Sequence, residues 1–226
     1  QGRIGQFTFL MLMFFLMIVG IIYVEQGQRR IPIQFAKRVR GRKVMGGQST
    51  YIPLKVNSAG VIPVIFATSI LFFPALVATS LPQDNSVTAA IRNWIDVNLA
   101  NSQGTTWFYI FFLGILIIFF TYFYTTIQFD PVRQSDMIRR QGGFVPGVRP
   151  GISTTNYLSH IINRITLPGS IFLASVAVLP SIASAIWDIP LGFSGISILI
   201  TVGVALETMK QIESQLSMRN YEGFID

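Results

Sequence analysis

Five long apolar stretches, almost free of charge, set what this chain can become. They run approximately from Phe7 to Val24, Val61 to Leu81, Thr106 to Ile127, Ile165 to Trp187 and Leu191 to Leu206. A helix needs about 20 mostly apolar residues to cross about 30 Å of hydrocarbon. The first four stretches meet that length. The fifth is short before Glu207, but Met209 and Ile212 extend its apolar face. The stretches are continuous, not alternating, and lipid admits only helices or closed barrels. The expectation is an all-α polytopic membrane protein with five transmembrane helices. Composition agrees: 51% of the 226 residues are hydrophobic and 12% charged, where soluble domains carry about a quarter charged. The first stretch is long and lacks a small-residue cleavage site, so it reads as a retained helix and not as a signal peptide.

The segments between the stretches carry a strong charge asymmetry. Residues 25–60 hold Arg29, Arg30, Lys37, Arg38, Arg40, Arg42, Lys43 and Lys55, with no acid after Glu25. Residues 82–105 hold Asp84, Arg92 and Asp96. Residues 128–164 hold five arginines against Asp130 and Asp136, and the short 188–190 connection holds only Asp188. Basic loops stay in the cytoplasm. The expected topology therefore has cytoplasmic loops at 25–60 and 128–164, a cytoplasmic tail at 207–226, and the N-terminus outside. That start is awkward for an independent membrane protein and natural for the second half of a larger one.

Two spans contain prolines, Pro63 and Pro74 in the second and Pro168 and Pro180 in the fourth. Proline removes a backbone donor and bends a helix, which in lipid requires neighbours to satisfy the freed carbonyl. Either the kinks serve packing or these helices move or line a cavity.

Several chemistries lack their residues. One histidine, His160, and no cysteine leave too few ligands for a usual zinc site. No carboxylate pair lies within a span, so a proton relay has little to work with. There is no phosphate-binding G-x-x-x-x-G-K-[ST] loop, so nucleotide-driven work must come from a partner. No catalysis and no cofactor are expected. A secondary transporter would need polar groups converging inside the spans, where Thr68, Ser69, Thr121 and Thr201 are the few present.

Both basic loops mix charge with apolar and turn residues, as in Ile31-Pro32-Ile33-Gln34-Phe35 and Phe144-Val145-Pro146-Gly147-Val148-Arg149-Pro150-Gly151. A solvated tail has no need of Phe35, Phe144 or Val145. An ordered loop with an apolar foot and protruding arginines accounts for them. Such arginines suit anionic lipid, at about 1 kcal/mol per basic residue, or a large anionic partner such as ribosomal RNA.

Longer motifs carry a resemblance. Glu25-Gln26-Gly27-Gln28-Arg29-Arg30-Ile31-Pro32, then Gly47 to Asn57, then Ala59-Gly60-Val61-Ile62-Pro63 resemble the SecY family. Gly143 to Gly151, Asn163-Arg164-Ile165-Thr166 and the tail segment Gln211 to Leu216 are similar to it as well. The likeness covers nearly the whole chain. It implies that the five spans are helices six to ten of a ten-helix protein-conducting channel of the bacterial plasma membrane. In that family two five-helix halves surround an hourglass pore, and helices seven and eight form one side of a lateral gate.

Residue by residue, the resemblance implies that Ile65 and Ile200 belong to an apolar pore ring. It implies that Asn57 and Phe73 belong to the gate. Arg29, Arg30, Lys37, Arg38, Arg42 and Lys43 match basic positions that meet the ribosome and the motor ATPase SecA, and Arg149 matches a loop arginine needed for work with SecA. The implied partners are the N-terminal half of the same protein, SecE, SecG, SecA, the ribosome, signal sequences and nascent chains, with anionic lipids around them.

Overall fold

The computed structural model describes residues 2–35, 38–40, 43–45, 49–80, 86–99, 106–187 and 194–222. Seven helices and five strands follow in the order α1 (Gly2–Gln26), β1 (Gln28–Phe35), β2 (Arg38–Arg40), β3 (Lys43–Met45), β4 (Ser49–Lys55), α2 (Ile62–Ser80), α3 (Ser86–Asn98), α4 (Trp107–Gln128), α5 (Pro131–Arg140), β5 (Gly143–Phe144), α6 (Ile152–Trp187) and α7 (Gly195–Glu222). Among the described residues five helices are long and apolar enough to cross a membrane: α1, α2, α4, α6 and α7. The all-α membrane architecture therefore holds for the body of the molecule.

The centre of the bundle is α6. It packs against α4 and α7, and more lightly against α1 and α2. Small residues make this possible: Gly169, Ser170, Ala174, Ala177, Ala183 and Ser184 are all buried on α6. Without a hydrophobic drive between helices in lipid, small side chains allow the close backbone approach from which packing energy comes. The approach is tightest at two glycines. A Cβ on Gly169 would lie 2.7 Å from the Val56 carbonyl oxygen. One on Gly195 would collide with the Val176 carbonyl and lie 2.9 Å from the Ala177 Cα.

Spans that follow one another in sequence are antiparallel. Thr125 and Phe129, at the end of α4, share a crevice with Ile162, Ile165 and Thr166 of α6. The Phe9 ring meets the Trp187 ring at 4.7 Å, joining the first third of α1 to the end of α6. α7 begins beside Val176 and Ala177 and passes Val61 at Gly203, so it runs back along α6.

One proline behaves differently from the sequence expectation. Pro63 does not interrupt α2; it sits in the first turn, where its missing N–H would have had no helical partner. Pro74 is inside the helix, as are Pro168 and Pro180 in α6.

The fourth apolar stretch is only the distal part of a 36-residue helix. At about 1.5 Å per residue α6 is about 54 Å long, far beyond a bilayer core. Its first three turns stand outside the span and support a second, smaller core. Here the basic loops fold into strands, which an all-helical expectation omits. β1 lies between β4 and β5, antiparallel to both. Along β1 the buried residues Ile31 and Ile33 alternate with exposed Arg30, Pro32 and Gln34, the period-two pattern of a half-buried strand. Pro32 is tolerated because β5 covers only Gln34 and Phe35, leaving β1 an open edge beside it. Ile31, Ile33, Leu54, Ile138, Val145, Leu158 and Ile161 form the core beneath.

Candidate functional site

Two regions gather the residues singled out above. The first is the basic platform built on the small core. Arg29 and Arg30 are exposed on β1, opposite Leu54 and Pro53 of β4. Successive strand residues point to opposite faces, so the two guanidinium groups leave the sheet on different sides. Arg38 and Lys43 lie in the β2–β3 hairpin, where the backbone pairs Arg38 with Met45 and Arg40 with Lys43. Lys37 and Arg42 fall outside the described residues.

Arg149 is exposed on the loop between β5 and α6. Its backbone is firmly held: the Thr154 hydroxyl donates to the Arg149 carbonyl at 3.0 Å, and the Ser135 hydroxyl to the Gly151 carbonyl at 3.1 Å. Gly151 has φ +112°, a conformation that favours glycine at the entry to α6. Val145 is buried beneath the loop. The loop therefore has the expected apolar foot, a fixed backbone and a projecting arginine, the arrangement that presents a rigid fork of donors to an anion.

The second region is where the platform meets the bundle. Asn57 is 5% exposed. Its Nδ2 donates to Glu25 Oε2 at 2.9 Å, and its Oδ1 accepts from the Gly60 N–H at 3.1 Å. Gly60 has φ +66°, so side chain and backbone together close a tight turn into α2. The Val56 N–H donates to the Gly27 carbonyl at 3.0 Å, a second tie between the end of α1 and the entry to α2. The sequence reading singled out Asn57 but not its partner. Glu25 was detectable as the only acid before the basic block; the contact, across 32 residues, was not.

Beyond this junction α2 divides cleanly. Pro63, Val64, Ala67, Leu71 and Ala78 are buried against the other helices. Ile65, Ile70, Phe73 and Leu76 are exposed on the far side, and Phe66, also exposed, meets Tyr124 of α4 at 5.4 Å. Ile65 is 44% and Phe73 65% exposed. They are eight residues apart, about 12 Å along the helix. On α7, Ile198, Leu199 and Leu206 are buried while Ile200 and Val204 are exposed.

Ile65 and Ile200 occupy one level of the bundle. Gly203 of α7 abuts Val61 at the start of α2. Ile65 lies four residues past Val61, and Ile200 three residues before Gly203 on an antiparallel helix. Each is therefore displaced in the same direction, by about 6 Å and about 4.5 Å. Both are only partly covered by the described residues, Ile65 being 44% and Ile200 37% exposed.

The polar residues of the spans do not converge. The hydroxyls of Thr68, Ser69, Thr121 and Thr201 each donate to a carbonyl three or four residues earlier in the same helix, for example Thr121 to Ile117 at 2.7 Å. Their donors are used locally, which leaves a solute little to bind. Among the described residues no cluster of three His, Cys, Asp or Glu groups could hold a metal ion.

Comparison with known proteins bears on the whole arrangement. The SecY family model matches residues 1–209. The protein translocase subunit SecY of Streptomyces scabiei is 52% identical over 215 residues, covering 92% of this chain and 47% of the relative. That of Mycobacterium bovis is 49% identical over 218 residues, covering 93% and 48%. The chain thus spans about half the length of the curated relatives it matches. Two solved structures share the fold. One, from work on how the SecY plug domain stabilises the closed channel, has a TM-score of 0.54 at 15% identity and covers 90% of this chain and 49% of that one. The other, a protein-conducting channel, has a TM-score of 0.53 at 16% identity and covers 88% and 47%.

Proposed function

The chain belongs to the SecY family and corresponds to the C-terminal half of its members, and from that premise we propose that it supplies one wall, the gate-side helices and the docking platform of a passive protein-conducting channel. The observation that carries this reading is the pair of partly exposed apolar faces on α2 and α7, with Ile65 and Ile200 at one level. A ring of branched apolar side chains can dewet a narrow neck and flex around a passing chain, blocking ions while offering the substrate no binding site. Half a ring needs the other half. The N-terminal five helices supply it, along with the opposite side of the lateral gate, to which the exposed Phe73 and, from its buried place at the entry to α2, Asn57 belong on this side.

The driving force comes from outside the channel. The exposed Arg29, Arg30 and Arg149, with the basic β2–β3 hairpin and its flanks, face the cytoplasm and dock SecA or ribosomal RNA, and anionic lipid headgroups lie beside them. SecE and SecG complete the membrane complex in the bacterial plasma membrane. Signal sequences and nascent chains are the substrates. The protein acts as a conduit, not an enzyme.

The test is reconstitution of the full-length protein with its partners in proteoliposomes. Secretion of a signal-bearing, unfolded precursor is expected, with no concentrative uptake of sugars or amino acids. Solute uptake without movement of polypeptide would overturn the proposal.

A further inference from the structure

The connection between α2 and α4 contains a helix that the channel reading leaves unused. α3 is amphipathic. Val87, Ile91 and Trp94 recur at helical spacing on one side, and Arg92 pairs with Asp96 at 3.7 Å on the other. Not all of its apolar residues are packed, although Leu99 at its end joins the main core. Thr88, Arg92 and Ile95 are partly buried towards the body of the protein, whereas Val87, Ile91 and Trp94 are exposed. The stripe therefore lies to the side of the packed face, and Trp94 at its edge reaches α4.

Its depth is well defined. The Trp94 ring meets the Phe108 ring at 5.6 Å, and the Thr106 hydroxyl at the start of α4 donates to the Val97 carbonyl at 2.9 Å. Both contacts hold α3 beside the first turn of α4. That helix has 22 residues, about 33 Å, against about 30 Å of hydrocarbon. Its first turn consequently marks the boundary between acyl chains and headgroups. The apolar stripe of α3 continues there through Phe108 to Phe112, whose ring stacks on Phe108 at 5.5 Å.

All three tryptophans of the chain, Trp94, Trp107 and Trp187, lie at this same end of the bundle, where tryptophan prefers to sit at a membrane interface. We propose that α3 lies flat in the bilayer interface opposite the basic platform, with Val87, Ile91 and Trp94 inserted among the upper acyl chains. It tethers the outer ends of α2 and α4 to the membrane surface. The charges of Arg92 and Asp96 cancel, so the occupant is the apolar edge of the bilayer and not an anionic headgroup.

The chain has no cysteine, which simplifies the test. Full-length protein carrying Ile91→Cys or Asp96→Cys, with any cysteines elsewhere in the protein replaced, is labelled with an environment-sensitive fluorophore in phosphatidylcholine vesicles. Quenching by a lipid with a spin label near its headgroup is compared with quenching by aqueous iodide. The lipid-to-iodide quenching ratio is expected to be several-fold higher for the probe at position 91 than at position 96, and a probe at Val87→Cys should behave like that at 91. Adding phosphatidylglycerol should leave the ratio unchanged. Iodide access at 91 equal to that at 96 would mean that the stripe faces water. Protection at 91 from both quenchers would mean that protein covers it, whether the first half or a second copy. Equal lipid quenching at 91 and 96 would mean a fully inserted segment. A several-fold rise with phosphatidylglycerol would mean headgroup binding. Any of the four would overturn the proposal.

Discussion

The junction between Asn57 and Glu25 gives the sharpest mechanical expectation. Replacing Asn57 with alanine deletes the donor to the Glu25 carboxylate and the acceptor for the Gly60 N–H, at a site that is 5% exposed. A hydrogen bond to a charged group contributes about 1.5–3 kcal/mol, and a neutral one about 1 kcal/mol. Glu25 is only partly buried, so water softens the loss, and about 2 kcal/mol is the expected destabilisation of Asn57→Ala.

Asn57→Asp should be worse. It keeps an acceptor for Gly60 but sets a second carboxylate against the first, where repulsion at an effective dielectric of 20 reaches about 4 kcal/mol at 4 Å before solvent access reduces it. Combining Asn57→Asp with Glu25→Gln reverses the polarity of the pair, because the new amide can donate to the new carboxylate. The double variant should recover to within about 1 kcal/mol of the parent. The assay is thermal unfolding of the purified full-length complex in detergent, with precursor secretion measured in parallel. Stability should fall in the order parent, double variant, Asn57→Ala, Asn57→Asp. If the double variant were no more stable than Asn57→Asp alone, the contact would not hold α1 to α2 and the reasoning would fail.

Other substitutions probe the remaining parts. Arg149→Glu should cripple SecA-driven secretion while leaving abundance and thermal stability near the parent, because only the side chain projects from a backbone held by Thr154 and Ser135; a matching loss of protein would assign it a structural role. Ile65→Asn or Ile200→Asn should hydrate the neck, raising ion leak and relaxing signal selectivity, and unchanged leak and discrimination in both would count against the ring. Gly195→Ala drives its new methyl into the Val176 carbonyl, so α7 must move off α6 by about 1 Å, a gap that forfeits a quarter to a half of nearby contact energy. Gly114→Ala meets nothing within 4 Å and should be neutral or stabilising by up to about 1 kcal/mol. Equal melting temperatures for these two glycine variants would refute the close-packing argument.

What was legible in the chain follows from how local each signal is. A transmembrane helix is declared by about 20 neighbouring residues whose transfer energies add along one segment. The five stretches therefore announced the spans with no knowledge of their partners. The apolar feet of the loops were legible in part, because hydrophobes amid charge need something to cover them: Val145 is buried and Phe35 packs on the small core, while Phe144 is exposed. The exposed arginines followed from charge alone.

What the sequence could not declare was anything set by distant segments meeting. The β1–β4–β5 sheet pairs strands interrupted by Pro32 and Pro53 and separated by whole elements. Glu25 found Asn57 only because α1 ends where α2 begins. Ile65 resembles any lipid-facing isoleucine until α7, stopped by the approach of Gly195 and Gly203, brings Ile200 to its level. Composition distinguishes membrane from water by summing over neighbours. Depth, level and direction within the membrane depend on how rigid helices stack, and only the tertiary packing decides them.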